Sequence, residues 1–367
     1  MYFSRPVAGP GLHALVIGVG SYRHLPGGTG RELPDPLDFA GLGQLTSPPV
    51  SARRLAEWLS GASHELWRVP LASVDLLVTG GLVEPTIAAI RDAYAGWRDR
   101  AGGHQENVGL FYFCGHGLQA ETRRMLLTAD FGEHDQVPFL GAFDFEKTRD
   151  ASVQTGPDTQ CFFIDACAGS SAWLMRHSPS VEGLGTVANR IVGVAARHTV
   201  SILSALTFGS ARGPIGGISY FTDALIQAFA GAAARLDDRL EWSVRTTSLI
   251  DAISTLMSRN PHARDHPPVQ QNLFGDATLW TLPEPPAVDI TLCCTPPDAQ
   301  RMATLRCSPE PPSRPLVRLD HTELPWPVRS SAGSHLIEAT FAEEQFAPYR
   351  KRLDLQPPGR PLELRIR

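Results

Sequence analysis

The stretch that decides the fold is Cys161-Phe-Phe-Ile-Asp-Ala-Cys-Ala-Gly-Ser-Ser171, an apolar run that ends in small residues. Its first half predicts a buried strand, and its second half predicts a tight turn that displays Cys167 at the end of that strand. A thiol displayed in this way is typical of a nucleophile. We therefore expect a cysteine-dependent site at the carboxyl end of a central sheet.

A second run of the same kind, Val108-Gly-Leu-Phe-Tyr-Phe-Cys-Gly-His-Gly117, predicts another buried strand that delivers His116 between two glycines. His116 precedes Cys167 by 51 positions. Because a thiol of ordinary pKa is mostly protonated at neutral pH, a nearby imidazole must take its proton. The pair predicts a dyad with His116 as base and Cys167 as nucleophile, and the amides of Gly117 and Cys167 would donate to an oxyanion. The alternative is that both are ordinary strand-end residues.

Composition indicates a soluble globular protein. The chain has 367 residues, 43% hydrophobic and 19% charged, with a formal net charge of −5. It has room for one large domain and a small one. No Lys/Arg-rich block points to nucleic acid or to an anionic membrane as a partner. Arginines greatly outnumber lysines, which is typical of a bacterial source with a GC-rich genome.

The sequence predicts no cofactor and no metal site. Gly18-Val-Gly20 follows a predicted strand, but Arg23 stands where a dinucleotide motif needs its third glycine. His262 and His266 are four apart but flanked by prolines, which favours a solvated loop over a helical metal pair. The six cysteines lack the spacing of zinc ligands and predict reduced thiols in a cytoplasm. Neither a membrane span nor a signal peptide is expected.

From residue 12 to about 282, apolar runs alternate with amphipathic segments, which predicts an α/β domain with a mainly parallel sheet. The predicted strands are Leu12–Gly20, Val74–Thr79, Val108–Phe113, Met125–Thr128, Cys161–Asp165, Val200–Leu206 and Ala277–Leu282. The predicted helices are Ser51–Leu59 with Ser51 as N-cap, Pro85–Arg100, Tyr220–Ala230 and Ser243–Met257. The loop at 168–196 is long and predicts a functional segment.

After Pro283-Glu-Pro-Pro286 the pattern changes to short alternating runs separated by proline-rich turns. It predicts a small β-sandwich, so that residues 1–284 form the main domain and residues 285–367 a second one. We expect the sandwich to bind a regulatory protein. The alternative is that these strands extend the main sheet.

These motifs resemble caspase-fold cysteine peptidases, closest in pattern to the prokaryotic caspase-like and metacaspase groups. The match runs through Ala14–Tyr22, Cys114–Gly117, Asp165–Gly169, Ser204-Ala205 and Ser219–Leu225. The resemblance implies a Cys/His endopeptidase acting on protein or peptide, with Ser204 and Ala205 on the substrate side. The family often has Asp where this chain has Ser51, and Ser where it has Cys114. An interaction module that keeps the fold without catalysis is the rival interpretation.

Asp165 precedes the cysteine by two positions. In relatives that cleave after Arg or Lys, an Asp at the matching place lines the primary pocket, so the resemblance implies a basic P1 residue. A buried carboxylate also invites a guanidinium, which can engage it through two hydrogen bonds. Two alternatives stay open: Asp165 only orders the turn, or Arg23 and Arg212 at the pocket mouth select an acidic P1. Self-cleavage within 168–196 is a further possibility.

Overall fold

A computed structural model describes residues 1–30, 42–61, 67–120, 123–134, 136–166, 169, 180–185, 196–204, 213–265, 267–310, 315–319, 322–342 and 345–367. The central sheet is built from β1 (Phe3–Ser4), β2 (Leu12–Gly18), β3 (Leu71–Val78), β4 (Val108–Gly115), β8 (Thr159–Ala166), β9 (His198–Leu203) and β12 (Val269–Phe274). The order is β1-β3-β2-β4-β8-β9-β12. The five inner strands are parallel, and the two edge strands run antiparallel to them. The predicted α/β fold with a mainly parallel sheet is confirmed.

Both faces of this sheet are covered by helices, which explains why its inner strands β2, β4 and β8 are mostly apolar. The helices are α1 (Ser47–Ser60), α2 (Ile87–Gly102), α3 (Phe145–Thr155), α4 (Tyr220–Gln227), α5 (Leu249–Arg259) and a short α6 (Pro297–Met302). One hydrophobic cluster joins α1, α4 and α5 to the sheet residues Tyr112 and Phe163. A second cluster joins α2 and α3 to Phe111 and Phe162 on the opposite face. Neighbouring residues of a strand therefore serve different cores.

Two local predictions were wrong. Helix α1 begins at Ser47 because the adjacent Pro48 and Pro49 fit its first turn, so Ser51 lies inside the helix and is not its N-cap. The segment predicted as one helix from Ser243 to Met257 divides, because its start pairs as strand β11 (Trp242–Arg245) and the α-helix begins only at Leu249.

Two smaller sheets flank the central one. The first contains β5 (Gly117–Ala120), β6 (Arg123–Leu127) and β7 (Ala142–Asp144), and the second contains β10 (Ala234–Leu236), β11 and β13 (Thr278–Leu282). The first sheet bears on the predicted site because β4 ends at Gly115 and β5 begins at Gly117, so that His116 is the single residue between the two strands.

The C-terminal region forms its own sheets. They are built from β14 (Ala287–Thr295), β15 (Ala303–Pro309), β16 (Leu316–Arg318), β17 (Trp326–Ser331), β18 (Gly333–Phe341), β19 (Tyr349–Leu355) and β20 (Pro361–Arg365). One sheet has the order β17-β14-β20 and the other β16-β15-β18-β19. These strands pair with one another, so the alternative that they extend the central sheet was wrong.

The C-terminal sheets are attached to the main part by packing and by hydrogen bonds. Their inward-facing residues Ile290 and Leu305 belong to the same hydrophobic cluster as α5. Arg259, at the end of α5, donates to the carbonyls of Pro358 (3.0 Å) and Gly359 in the turn between β19 and β20. In the part of the chain described by the structure, no helix is long and apolar enough to cross a membrane.

Candidate active site

The candidate site lies where β4 and β8 end side by side. In this parallel pair, Cys114 is opposite Asp165 and Gly115 is opposite Ala166. The next described residue after Ala166 is Gly169, which forms an isolated parallel bridge with Leu118 in β5. The amide of Gln119 also donates to the carbonyl of Gly169 at 2.8 Å. Ala166 and Gly169 thus both lie beside the segment that joins β4 to β5.

His116 is held by contacts on two sides. Its Nε2 lies 2.8 Å from the carbonyl oxygen of Gly43, and its amide donates to the hydroxyl of Tyr22 at 2.7 Å. The Tyr22 ring also lies against the imidazole, with centroids 4.8 Å apart. The amide of Gly43 also lies 3.3 Å from Nε2, but its carbonyl is closer, which favours the tautomer with the hydrogen on Nε2 and a free lone pair on Nδ1. Within the described ranges, Nδ1 of His116 has no hydrogen-bond partner.

Burial keeps this imidazole neutral. His116 is 3% exposed, and desolvation lowers its pKa to about 4, although the carbonyl of Gly43 acts in the opposite direction. At neutral pH the ring is therefore unprotonated, which is the state that a general base requires.

Gly115 has to be glycine for this arrangement to form. A Cβ at that position would lie 2.7 Å from the Tyr22 hydroxyl and 3.2 Å from the ring of Phe113. Any side chain would therefore displace Tyr22, the residue that holds the backbone of His116.

Asp165 is buried at the end of β8, opposite Cys114, and accepts hydrogen bonds from uncharged groups. Its Oδ2 accepts from the hydroxyls of Ser219 and Thr222, the latter at 2.9 Å, and from the thiol of Cys114 at 3.5 Å. Its Oδ1 has no partner among the residues that the structure describes. Burial raises the pKa of Asp165, while hydrogen bonds from Ser219 and its neighbours lower it.

The first turn of α4 and the start of α1 hold these donors in place. Ser219 is the N-cap of α4, and its side chain accepts from the amide of Thr222 while donating to Asp165. The amide of Ser219 in turn donates to the Ser51 hydroxyl at 2.9 Å. Ser51 therefore serves the site from within α1, a role that its prediction as N-cap missed.

A cavity of about 450 Å³ opens beside Asp165. Its walls come from the segment that leads into α1, the ends of β4 and β8, the chain before α4, and the turn after α5. The lining residues are Gln44, Leu45, Thr46, Ser47, Pro48, Cys114, Gly115, Asp165, Gly213, Ile215, Ser219, Tyr220 and His262. Such a cavity at the carboxyl ends of parallel strands is where α/β proteins bind ligands.

The structure brings several residues predicted for the site to this region. His116 follows β4, Gly117 begins β5, Asp165 lines the cavity, and Ser204 follows β9 with its amide bonded to the carbonyl of Ile164 at 2.8 Å. Cys167, Ala205 and Arg212 lie outside the described residues.

Arg23 is exposed and is not among the described residues that line the cavity. Sequence reasoning missed Tyr22, Gly43, Tyr220 and His262. The first two act through a hydroxyl and a backbone carbonyl contributed from distant parts of the chain, for which the sequence carries no local signal. His262 does lie in an exposed turn, as predicted, but it also faces the cavity.

Three comparisons with known proteins bear on this site. The family model described as the caspase domain, peptidase C14, matches residues 12–272. An uncharacterized protein, y4kE, from Sinorhizobium fredii (strain NBRC 101917 / NGR234) is 30% identical over 148 residues, which is 40% of this chain and 42% of that protein. The match thus spans less than half of that curated relative.

Among solved structures, the crystal structure of caspase-1 from Spodoptera frugiperda is similar to this chain with a TM-score of 0.39 and 13% identity. The superposition covers 76% of this chain and 93% of that one. The family model covers the strands β2, β4, β8, β9 and most of β12, and therefore includes every residue described above at the strand ends.

Proposed function

Because the chain belongs to the caspase-domain family of peptidases, we propose that it is a cysteine endopeptidase with Cys167 as nucleophile and His116 as base. The observation that carries this proposal is His116 itself: it is buried, neutral, oriented by Gly43, and its Nδ1 is without a partner in the described part of the chain. An imidazole nitrogen that has no other partner and is held at the end of β4 is the group that would accept the proton of the thiol.

The position of Cys167 in the chain supports the dyad. The residues that flank it, Ala166 and Gly169, pair with Gly115 and Leu118, and these two positions bracket His116. Attack of the thiolate on a peptide carbonyl would form a tetrahedral intermediate, collapse to a thioester with release of the amine, and end with hydrolysis by water. The amides of Gly117 and Cys167 are the proposed donors to the oxyanion.

The test is cleavage of a peptide library by the purified full chain, with Cys167→Ala and His116→Ala measured beside it. We expect both variants to lose cleavage almost completely and to keep the circular dichroism spectrum of the wild type, because members of one catalytic unit act together. A wild-type rate in Cys167→Ala would remove this residue as nucleophile and make Cys114 the next candidate. No cleavage by the wild type under any reducing condition would favour the interaction module.

We further propose that the cavity at Asp165 is the primary specificity pocket and takes a basic P1 side chain. The carboxylate has no cation beside it in the described structure, and Oδ1 lacks a hydrogen-bond donor. The cation of a basic P1 side chain would supply both the missing positive charge and the missing hydrogen-bond donor. Cleavage after Asp or Glu alone would contradict this proposal and direct attention to Arg23 and Arg212.

The proposed substrate-side positions Ser204 and Ala205 follow the neighbouring strand β9. The Ser204 side chain helps to lower the pKa of Asp165, so it belongs to the same polar group.

Processing within residues 168–196 is also proposed. Incubation of the wild type and of Cys167→Ala followed by intact-mass analysis should show fragments in the wild type alone. A reducing cytoplasm is the proposed location, because the thiolate must stay reduced.

We propose that the chain divides into residues 1–284 and 285–367, because the C-terminal region forms its own sheets. A regulatory protein is the proposed partner of the second unit. A chain ending at Pro283 should remain soluble and keep its site. It should also be less stable, because Arg259 would lose its carbonyl partners in the turn between β19 and β20. Aggregation of the truncated chain would contradict the division. Unchanged cleavage and partner response would leave the C-terminal unit without a regulatory role.

A further inference from the structure

The carboxylate of Asp165 cannot by itself tell arginine from lysine. Its Oδ2 already accepts from Ser219, Thr222 and Cys114, so Oδ1 is the oxygen that has no hydrogen-bond partner among the described residues. A single oxygen offers a planar guanidinium no advantage over an ammonium, since the paired hydrogen bonds of a guanidinium need both oxygens. The two-oxygen contact expected from the sequence therefore does not fit this geometry, and any selection has to come from another wall of the cavity.

That wall is aromatic. Tyr220, the first residue of α4, and His262, in the turn after α5, both line the cavity. Their rings are stacked, with an interplanar angle of 14° and centroids 6.2 Å apart. Tyr220 is adjacent in the chain to Ser219, which donates to Asp165, so the carboxylate and the Tyr220 ring are linked through the start of α4.

We infer that the Tyr220–His262 pair is the element that selects arginine over lysine at P1; this inference rests on the proposed function of the cavity as the P1 pocket. A guanidinium is flat, delocalised and weakly hydrated, so it stacks on an aromatic face while one of its N–H groups reaches Oδ1 of Asp165. An ammonium is compact and strongly hydrated, and it gains less from a ring.

The backbone that carries each ring is held in place. The backbone of Ser219, next to Tyr220, is bonded to Ser51 in α1. The amide of His262 donates to the side chain of Asn260 at 2.9 Å, directly after the helix whose end is anchored by Arg259. A preorganised wall loses little conformational entropy when a side chain settles on it.

The test measures binding and is separate from catalysis. In the Cys167→Ala protein, the dissociation constants of Nα-acetyl-arginine amide and Nα-acetyl-lysine amide are determined by NMR titration, before and after Tyr220→Leu, Tyr220→Phe and His262→Ala. His104→Ala, an exposed histidine after α2 at the other end of the molecule, is the matched control. We expect Tyr220→Leu to weaken arginine amide by about tenfold with little effect on lysine amide, a change in the range of a cation–π contact.

Tyr220→Phe should keep the arginine preference, because the ring is retained, and His262→Ala should reduce it by a few fold. The inference is overturned if Tyr220→Leu leaves the ratio of the two constants within about twofold of the starting value, the scale of an exposed contact. Cleavage after arginine by the wild type would in that case still support the proposed function. If neither amide binds, the cavity is not a P1 pocket, and this inference falls with that assignment while the dyad remains to be judged by cleavage.

Discussion

Two carboxylates are buried in the central sheet, Asp165 at the end of β8 and Asp75 in β3, and they differ in what surrounds them. Asp75 forms an ion pair with Arg100, and the amine of Met1 lies 3.8 Å from its other oxygen. Asp165 has only hydroxyls and a thiol as partners, and it faces a cavity. Burial is the largest influence on both groups and raises the pKa of each.

Under the proposed function, this difference separates a structural carboxylate from one that binds a ligand. The charge of Asp75 is compensated within the chain, so its burial is complete without a ligand. The charge of Asp165 is compensated by no cation in the described residues, although it is 1% exposed. Under the proposed function, such a group buried beside a cavity would receive the cation of a basic P1 side chain there.

The largest effect expected from this comparison is on turnover. Asp165→Asn should lower kcat/KM for peptides with arginine at P1 by about 10- to 100-fold, the range for loss of a charged hydrogen bond. The free energy of unfolding at pH 7 should not fall, because asparagine keeps an oxygen for Ser219 and Thr222 and avoids burial of a charge. Steady-state kinetics and urea unfolding measure the two effects.

Asp75→Asn is the matched control, since it makes the same change in the same sheet. It should leave kcat/KM within about twofold and cost about 1 kcal/mol of stability, because the part-exposed Arg100 would lose a charged partner but could be hydrated. If Asp75→Asn impaired turnover as much as Asp165→Asn, the distinction between the two carboxylates would be wrong.

A smaller effect is expected in the pH dependence of stability, where the two regions behave alike. His116 in the site and His13 near Asp75 are both buried, and burial lowers the pKa of each to about 4. In the unfolded chain these rings take up a proton near pH 6.5. Between pH 6.5 and 4 the unfolded state therefore binds more protons than the folded state, and the free energy of unfolding falls as the pH falls.

His116→Gln should remove the part of this pH dependence that comes from the site. By proton linkage, this part is about 3 kcal/mol of unfolding free energy between pH 6.5 and 4. Urea unfolding of the wild type and the variant at several values between pH 7 and 4 measures this difference. Parallel stability curves would mean that His116 takes up its proton in the folded state as well, which would contradict its neutral burial.

The sequence predicts the sheet well because β2, β4 and β8 are nearly continuous apolar runs, and only a strand covered on both faces requires this. It also predicts the strand ends, where His116 and Asp165 interrupt these runs. Helix α3 was missed because it is polar on most of its surface and begins with a side-chain cap from Asp144, a signal without apolar periodicity.

The rest of the site depends on contacts between distant segments. Gly43 reaches His116 through a backbone carbonyl, which any residue could supply. Tyr220 and His262 meet only because α4 and α5 pack side by side. Pairing with β10 and β13 likewise decided that Trp242–Arg245 is a strand, although its sequence continues into the helical pattern that follows. These are tertiary effects that override local propensity.

The central claim is that Cys167 attacks a substrate whose basic P1 side chain occupies the cavity at Asp165. The most direct measurement is reaction of the full chain with a peptidyl-arginine acyloxymethyl ketone, followed by mass spectrometry of the digested protein. The account predicts one thioether adduct, on Cys167, that is strongly reduced in His116→Ala and in Asp165→Asn. An adduct on Cys114, the thiol that lines the same cavity, or labelling only by the matching peptidyl-aspartate reagent would contradict it.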